Sequence, residues 1–396
     1  MKTKHVILRQ IETPKTGRTG GAVRGRGGFT AKPSASASIK IEYDDVTAPR
    51  AAEIARNKDI AAIAPVVPMK LIAPVAIDNT PASVETAWGV QAVGADTSPF
   101  DGDGVIVAVL DTGIDPAHPA FTGVNLIRKN FTSEVDNDIN GHGTHCAGTI
   151  FGRNVSGKRI GVAPGIKTAL IGKILGEGGG GSDVVLEGIE WARQNGANVI
   201  SMSIGIDFPG YVKELIDQGI PADLATSMAL EGYRTNVHLF ESIASMIKAF
   251  GAFRQSCLLI AAAGNESRRD ENSDYEIAVS PPAVAEGIIS VAALGNGQGG
   301  FSVAPFSNTG ARVSAPGVMI LSAKPGGGLA TMSGTSMATP HVTGVAALWA
   351  QKIKNSSSLT YTLFMDKLIS SATNAGMKAG FDPTDVGAGL IRAPQD

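Results

Sequence analysis

Four continuous apolar runs constrain this chain more than any other feature. They are Val105-Ile106-Val107-Ala108-Val109-Leu110, Ala169-Leu170-Ile171-Gly172-Lys173-Ile174, Val199-Ile200-Ser201-Met202-Ser203 and Leu258-Leu259-Ile260-Ala261-Ala262-Ala263. A strand with one wet face alternates polar and apolar residues, whereas an unbroken run marks a strand covered on both faces. Helical stretches lie between the runs, for example Asp183 to Asn195. Strand and helix in alternation predict a parallel α/β sheet. Open sheets of that kind place their sites at the carboxyl ends of the strands. Polar residues stand at those ends here: Asp111 after the first run, Ser203-Ile204-Gly205 after the third and Gly264-Asn265 after the fourth.

Composition narrows the class. At roughly 100–200 residues per domain, 396 residues allow two or three domains. Apolar residues make up 43% and charged residues 18%, enough for a sizeable core. The net charge of −2 excludes a globally basic nucleic-acid binder. No apolar run approaches the roughly 20 residues that span a bilayer. The first residues, Met1-Lys2-Thr3-Lys4-His5-Val6-Ile7-Leu8-Arg9, lack the apolar stretch of a secretory signal. The default expectation is a cytoplasmic protein with no nucleic-acid or membrane partner; secretion would need an unrecognised route. Two cysteines make no disulfide framework.

The first eighty residues read differently from the rest. His5 to Glu12 predicts a short strand, and Thr16 to Ser36 a flexible loop with Arg18, Arg24 and Arg26 among glycines. Ser38 to Tyr43 alternates like a half-buried strand, Ala51 to Lys58 is helical, and Ile60 to Val75 is extended. A Pro-containing linker runs from about Pro74 to Pro81. Residues 1–80 thus predict a small α+β module ahead of a larger unit, 81–396. Residues 207–256 form a long helical connection, with a helix start at Pro221-Ala222-Asp223 and an end near Phe253.

Three segments carry chemistry. Asp111-Thr112-Gly113-Ile114-Asp115 follows an apolar strand. Gly141-His142-Gly143-Thr144-His145-Cys146-Ala147-Gly148 is the second. Gly334-Thr335-Ser336-Met337-Ala338-Thr339-Pro340-His341 opens an apolar helix. Singly, a strand-end Asp, a His between glycines and a Ser before a helix have ordinary structural roles. Together they supply what serine acyl transfer needs: a nucleophile, a base within reach and an acid orienting that base. Pro340 is expected in the first turn, where its missing N–H does little harm.

In the order Asp, His, Ser, these blocks resemble the signatures of the subtilisin-like serine proteases, over roughly Trp88 to Ala350. The resemblance implies a subtilisin-like three-layer α/β fold with a mostly parallel central sheet. It implies Asp111 as orienting acid, His142 as general base and Ser336 as nucleophile. Ala261-Ala262-Ala263-Gly264-Asn265 resembles the family's oxyanion segment, nominating the Asn265 amide and the Ser336 backbone N–H as donors. Ser203-Ile204-Gly205 and Ala263-Gly264 resemble the walls of the primary specificity pocket. Gly178-Gly179-Gly180 resembles the edge that pairs with an extended substrate. Small and apolar lining predicts a neutral or hydrophobic side chain in that pocket. Ser182 stands where many relatives carry an aromatic residue. His118, His145 and His341 fall in family blocks as supporting structure, Cys146 as a small buried residue beneath the site and Cys257 as core.

The chain departs from the family pattern in three places. The strong calcium site of secreted relatives is expected to be absent: Ala120 stands at its acidic position, and the loop Gly152 to Gly161 carries Arg153, Lys158 and Arg159, which oppose a hard cation. No cofactor or metal is required, although Asp136-Asn137-Asp138 is a candidate for weak calcium binding. Asp207 to Gln255 runs about thirty residues longer than in typical secreted relatives. Residues 51–65 resemble the end of the family's inhibitory propeptide. The expected protein is therefore a self-processing zymogen, a serine endopeptidase acting on proteins or peptides with its own N-terminal domain as intramolecular inhibitor, cleaved between Met69 and Ala82. The alternatives are a peptide ligase or macrocyclase on the same fold, or an inactive binding scaffold.

Overall fold

In a computed structural model, residues 2–12, 37–75, 85–251 and 256–396 are described. The Gly/Arg stretch Thr16 to Ser36, most of the Pro-containing linker and the expected helix end at Phe253 lie outside them.

The N-terminal module is built from β1 (Thr3–Glu12), β2 (Ala37–Val46), α1 (Ala48–Ile54) and β3 (Ile60–Pro65). The strands form an antiparallel sheet in the order β2-β1-β3. Helix α1 starts three residues earlier than the pattern predicts, because Pro49 pre-sets the helical φ in the first turn. The chain then runs as β4 (Pro68–Leu71).

The larger unit begins with α2 (Trp88–Ala92), β5 (Ile106–Asp111), β6 (Asn125–Asn130), α3 (His142–Phe151), β7 (Thr168–Lys173), β8 (Gly180–Gly181) and α4 (Ser182–Gln194). It continues through β9 (Val199–Met202), β10 (Ile204–Ile206), α5 (Phe208–Asp217), α6 (Ala222–Gly251), β11 (Leu258–Ala262), β12 (Ile288–Gly297), β13 (Gly300–Val303) and β14 (Val313–Pro316). It closes with β15 (Ile320–Lys324), β16 (Gly328–Met332), α7 (Thr335–Ser356), α8 (Tyr361–Ser370) and α9 (Pro383–Val386).

Strands β6, β7, β5, β9, β11, β12 and β14 pair in parallel, and β13 pairs antiparallel at β12. The four apolar runs are four adjacent strands of this sheet, β7-β5-β9-β11. Their unbroken apolarity has a direct cause. In β5, Val107 and Val109 enter the core under α3 and α7, while Ala108 and Leu110 enter the opposite core under α4 and α6. Strand β11 splits the same way, with Leu258 and Ile260 on one face and Leu259 and Ala261 on the other. The result is the expected three-layer α/β fold with a mostly parallel sheet.

The connection at 207–256 is two helices rather than one. Asp207 caps α5, its side chain accepting from Gly210 N. Gly219 then turns the chain at φ +87, a left-handed value that glycine adopts without strain. Pro221 follows, and α6 starts at Ala222.

The end of β5 meets the start of α3 without space for a side chain. A Cβ on Gly143 would lie 2.2 Å from Gly113 O and 3.1 Å from Gly113 N. Gly143→Ala is expected to push α3 away from the β5 end and destabilise the protein by about 1–3 kcal/mol, the usual range for overpacking. Urea unfolding of the two proteins measures it.

Candidate active site

Asp111 is the last residue of β5 and His142 the first of α3; both are buried. His142 Nδ1 lies 2.8 Å from Asp111 Oδ1. Asp138 holds the two elements in this register. Its Oδ1 accepts from Thr112 Oγ1, Asn140 N and Gly141 N, and its Oδ2 from Thr144 N and Oγ1. An acidic residue accepting from the first turn of a helix caps it. That role was not read from the sequence, where Asp138 looked like part of a weak calcium site.

Ser336 is the second residue of α7 and is fully buried. Pro340 corrects an expectation. It lies in the second turn of α7, not the first. Its missing N–H therefore leaves the Ser336 carbonyl without its helical donor. Two side chains from other elements take that carbonyl: Ser203 Oγ donates at 3.3 Å and Cys146 Sγ at 3.4 Å. The proline thus ties the serine's backbone to α3 and to Ser203, the residue between β9 and β10.

Asn265 follows β11, and its orientation is set by Thr335. Thr335 N and Oγ1 both donate to Asn265 Oδ1, at 2.9 and 2.8 Å. This turns Nδ2 toward the cleft, where it donates to Ala73 O at 2.9 Å.

Residues 68–75 lie in that cleft. β4 runs antiparallel between β8 and β10, pairing Met69 with Gly180 on one side and Ile206 on the other, and Leu71 with Ile204. Ile72 N donates to Ser203 O and Val75 N to Ser333 O. Ile72 is buried against Gly205, one of the expected pocket residues. Of the expected glycine edge, only Gly180 pairs with the segment, and Gly181 extends the edge instead. Gly176 and Gly179 bridge to each other in a tight turn, Gly179 at φ +84, and a Cβ on Gly178 would touch nothing within 4 Å. Gly179 remains in contact, since a Cβ there would meet Met69 O at 2.5 Å. Ala263 and Gly264, the other expected pocket wall, directly precede Asn265, and Ser280 N donates to Ala263 O. Ser182, left open by the sequence, clamps Val67 by both backbone groups: Val67 N donates to Ser182 Oγ at 3.2 Å, and Ser182 N to Val67 O at 3.0 Å.

The serine hydroxyl does not engage the histidine. Ser336 Oγ donates to Ile72 O at 2.8 Å, and the buried His142 Nε2 has no hydrogen-bond partner. The Asn265 amide sits one carbonyl further along, on Ala73.

Burial is the largest single influence on His142 and lowers its pKa, but the Asp111 charge, together with Cys146 and the hydrogen bonds to both, outweighs it and holds the imidazole well above its ordinary 6.5. Burial pushes the Cys146 thiol up, leaving a neutral neighbour. Burial and His142 together lower His145 to about 3, and burial lowers His341 to about 4, so both are neutral near pH 7. His145 Nε2 meets the Ile320 and Ala330 carbonyls, His341 Nδ1 the Met337 carbonyl, and His118 Nε2 the Gly328 carbonyl. These contacts are structural. Cys257 is buried and its thiol is pushed up to about 12.

Among the described residues, Asp111, His142 and Cys146 bring three donor atoms within 4.8 Å of one another. Asp111 and His142 already bond to each other there, and the thiol is protonated, which a metal ligand must not be.

Fold and site define a subtilisin-like serine protease. The Subtilase family profile matches residues 102–389. Subtilisin-like protease 6 from Arthroderma gypseum is 32% identical over 338 residues, which cover 83% of this chain and 73% of that protein. An intracellular serine protease from Paenibacillus polymyxa is 34% identical over 298 residues, 73% of this chain and 79% of that protein. The structure is similar to that of fervidolysin from Fervidobacterium pennivorans, a keratinolytic enzyme related to subtilisin, with a TM-score of 0.63 at 25% identity; the match covers 99% of this chain and 60% of that one. The chain belongs to the subtilase family of serine endopeptidases.

The raised His142 pKa has a sign. Stabilisation from the Asp111–imidazolium pair is complete below about pH 6.5 and fades as pH rises through the raised value. Asp111→Asn removes the largest influence that opposes burial. The His142 titration midpoint is then expected to fall below 6.5, as followed by the imidazole proton resonances.

Proposed function

We propose that this chain is a serine endopeptidase made as a self-inhibited zymogen, with Ser336, His142 and Asp111 as its catalytic triad. The observation that carries the proposal is the segment 68–75, seated across the cleft with the Ile72 carbonyl on Ser336 Oγ. In the reaction, His142 Nε2 takes the Ser336 proton as Oγ bonds to the substrate carbonyl carbon. Asp111 holds the imidazolium that forms. The oxyanion receives hydrogen bonds from Asn265 Nδ2 and the Ser336 N–H, which sits where a helix dipole favours negative charge. Collapse expels the amine, which takes its proton from His142, and water then releases the acyl group by the same steps in reverse.

The N-terminal module acts as the inhibitor. Its tail lies in the cleft as a substrate would, but the register holds it short of reaction. Ser336 Oγ is diverted from His142 to the Ile72 carbonyl, and Asn265 grips Ala73 instead. Ile72 fills the primary pocket, which supports a preference for apolar side chains there, and nominates Ile72–Ala73 as the bond cut in self-processing. The name of the Paenibacillus polymyxa relative supports action inside the cell. No helix among the described residues is long and apolar enough to cross a membrane.

The chemistry needs no metal. Both Asp138 oxygens are engaged by protein donors. Arg153, in the loop where secreted relatives bind calcium, donates to the Phe151 and Ile166 carbonyls. A chelator is expected to leave the melting temperature and turnover unchanged; a large drop in either would restore a bound cation to the account.

Ser336→Ala is expected to abolish peptide hydrolysis without loss of the native circular-dichroism spectrum. Asn265→Ala is expected to lower kcat by about 10²–10³-fold, the usual result of removing one oxyanion donor. Retained turnover in Ser336→Ala would remove Ser336 from its role. Failure of a fluorophosphonate to label Ser336 in the processed protein would leave an inactive scaffold.

A further inference from the structure

The inserted helices α5 and α6 carry no part of the triad, yet they reach the segment upstream of the cleft. Asn236, fully buried in α6, donates through Nδ2 to Pro65 O at 2.8 Å. Its Oδ1 is buried with no partner. Gly232, one turn earlier, leaves a hollow. A Cβ there would lie 3.2 Å from Val67 Cγ1, 3.7 Å from Pro65 Cγ and 3.1 Å from Tyr211 Cε1 on α5. Asp207 N donates to Pro68 O at 3.1 Å, and the Asp207 carboxylate meets Lys70 Nζ at 3.3 Å. The two helices brace each other through Phe208 and Tyr233, ring edge to face at 6.0 Å.

The donors and acceptors for this stretch come from the larger unit. Asn236 takes Pro65, Ser182 takes both backbone groups of Val67, and Asp207 takes Pro68. Two contacts turn to the N-terminal module: Pro65 ends β3 opposite His5 of β1, and Val66 N donates to Lys4 O. A peptide lacking the module would still find the bonds from Asn236, Ser182 and Asp207. Small apolar residues fit the hollow, and main-chain bonds give affinity independent of sequence.

We propose that the α5–α6 insertion extends the substrate groove, seating the three residues that precede the stretch paired with β8 and β10 together with Pro68, the first residue of that stretch. Its ligand is an extended apolar peptide segment, held in the zymogen by Pro65–Pro68 and in the processed enzyme by the same positions of a protein substrate. This rests on the protease reading above. It makes Asn236 and Gly232 specificity-determining residues far from the reacting bond, and gives the enzyme a preference for long unfolded stretches over short peptides.

The test compares two chromogenic amides in the protein that self-processes from the full-length chain: residues 69–72 (MKLI) and residues 65–72 (PVVPMKLI). The longer peptide is expected to show a kcat/KM higher by roughly tenfold, the scale of one net hydrogen bond with its contacts. In Asn236→Leu and Gly232→Ala the ratio of long to short should fall toward one. Alanine is the better helix former, so Gly232→Ala fills the hollow without weakening α6. A ratio near one in the unaltered protein, or a ratio both variants leave intact, overturns the proposal. Hydrogen exchange in the full-length Ser336→Ala protein gives a second readout that needs no turnover. Exchange at the Val67 amide should rise about tenfold in both variants while β5 stays protected; no rise overturns the proposal. If neither peptide is cleaved and Ser336 resists fluorophosphonate, the protease reading fails, and exchange still judges the seat.

Discussion

A carboxylate and an imidazole meet in the interior of this protein, and much of the surrounding structure exists to hold them there. Asp111 and His142 are both nearly inaccessible to water. Burying a charged group is costly unless it is paired and hydrogen-bonded. The pairing requires the first turn of α3 to approach the Gly113 backbone just after β5 more closely than a side chain allows, which explains glycine at 143, while Gly113 itself sits at φ +107. It also requires a helix start that is capped away from solvent, which Asp138 provides with five donors. The same carboxylate charge that orients the imidazole raises its proton affinity against the effect of burial.

Ser336 is brought to this pair by a helix whose regular bonding is broken at one place. Pro340 frees the Ser336 carbonyl, and Ser203 and Cys146 occupy it. Helix α3, the residue between β9 and β10, and the serine are tied at one point. The chain's own segment 68–75 then lies along the exposed edges of β8 and β10 as an added strand. In this arrangement His142 is bonded to Asp111, whereas the Ser336 hydroxyl bonds to the Ile72 carbonyl and His142 Nε2 has no partner.

The sheet was legible in the sequence because being buried on both faces leaves no polar alternation, and β5, β7, β9 and β11 carry that signature. Asp111, His142, Ser336 and Asn265 were nominated because their blocks resemble the signatures of the subtilisin-like serine proteases, and the structure brings Asp111 and His142 into contact. What was not legible depends on distant partners. Nothing local marks Asp138 as a helix cap rather than a cation ligand, since its donors come from Thr112 as well as Thr144. The role of Pro340 depends on counting turns from a helix start that the sequence places only approximately. The break between α5 and α6 rests on a single left-handed glycine, Gly219. Asn236 is one polar residue on an amphipathic helix, and its partner, Pro65, is far away along the chain.

The central claim is that the N-terminal segment occupies the active cleft of an enzyme able to cut it. Intact-mass spectrometry of the purified chain and its Ser336→Ala variant, followed over time, tests this most directly. The account predicts that the unaltered protein loses its N-terminal module at or close to the Ile72–Ala73 bond while the variant keeps its full mass. Two full-length proteins, or the same cleavage in both, would contradict it.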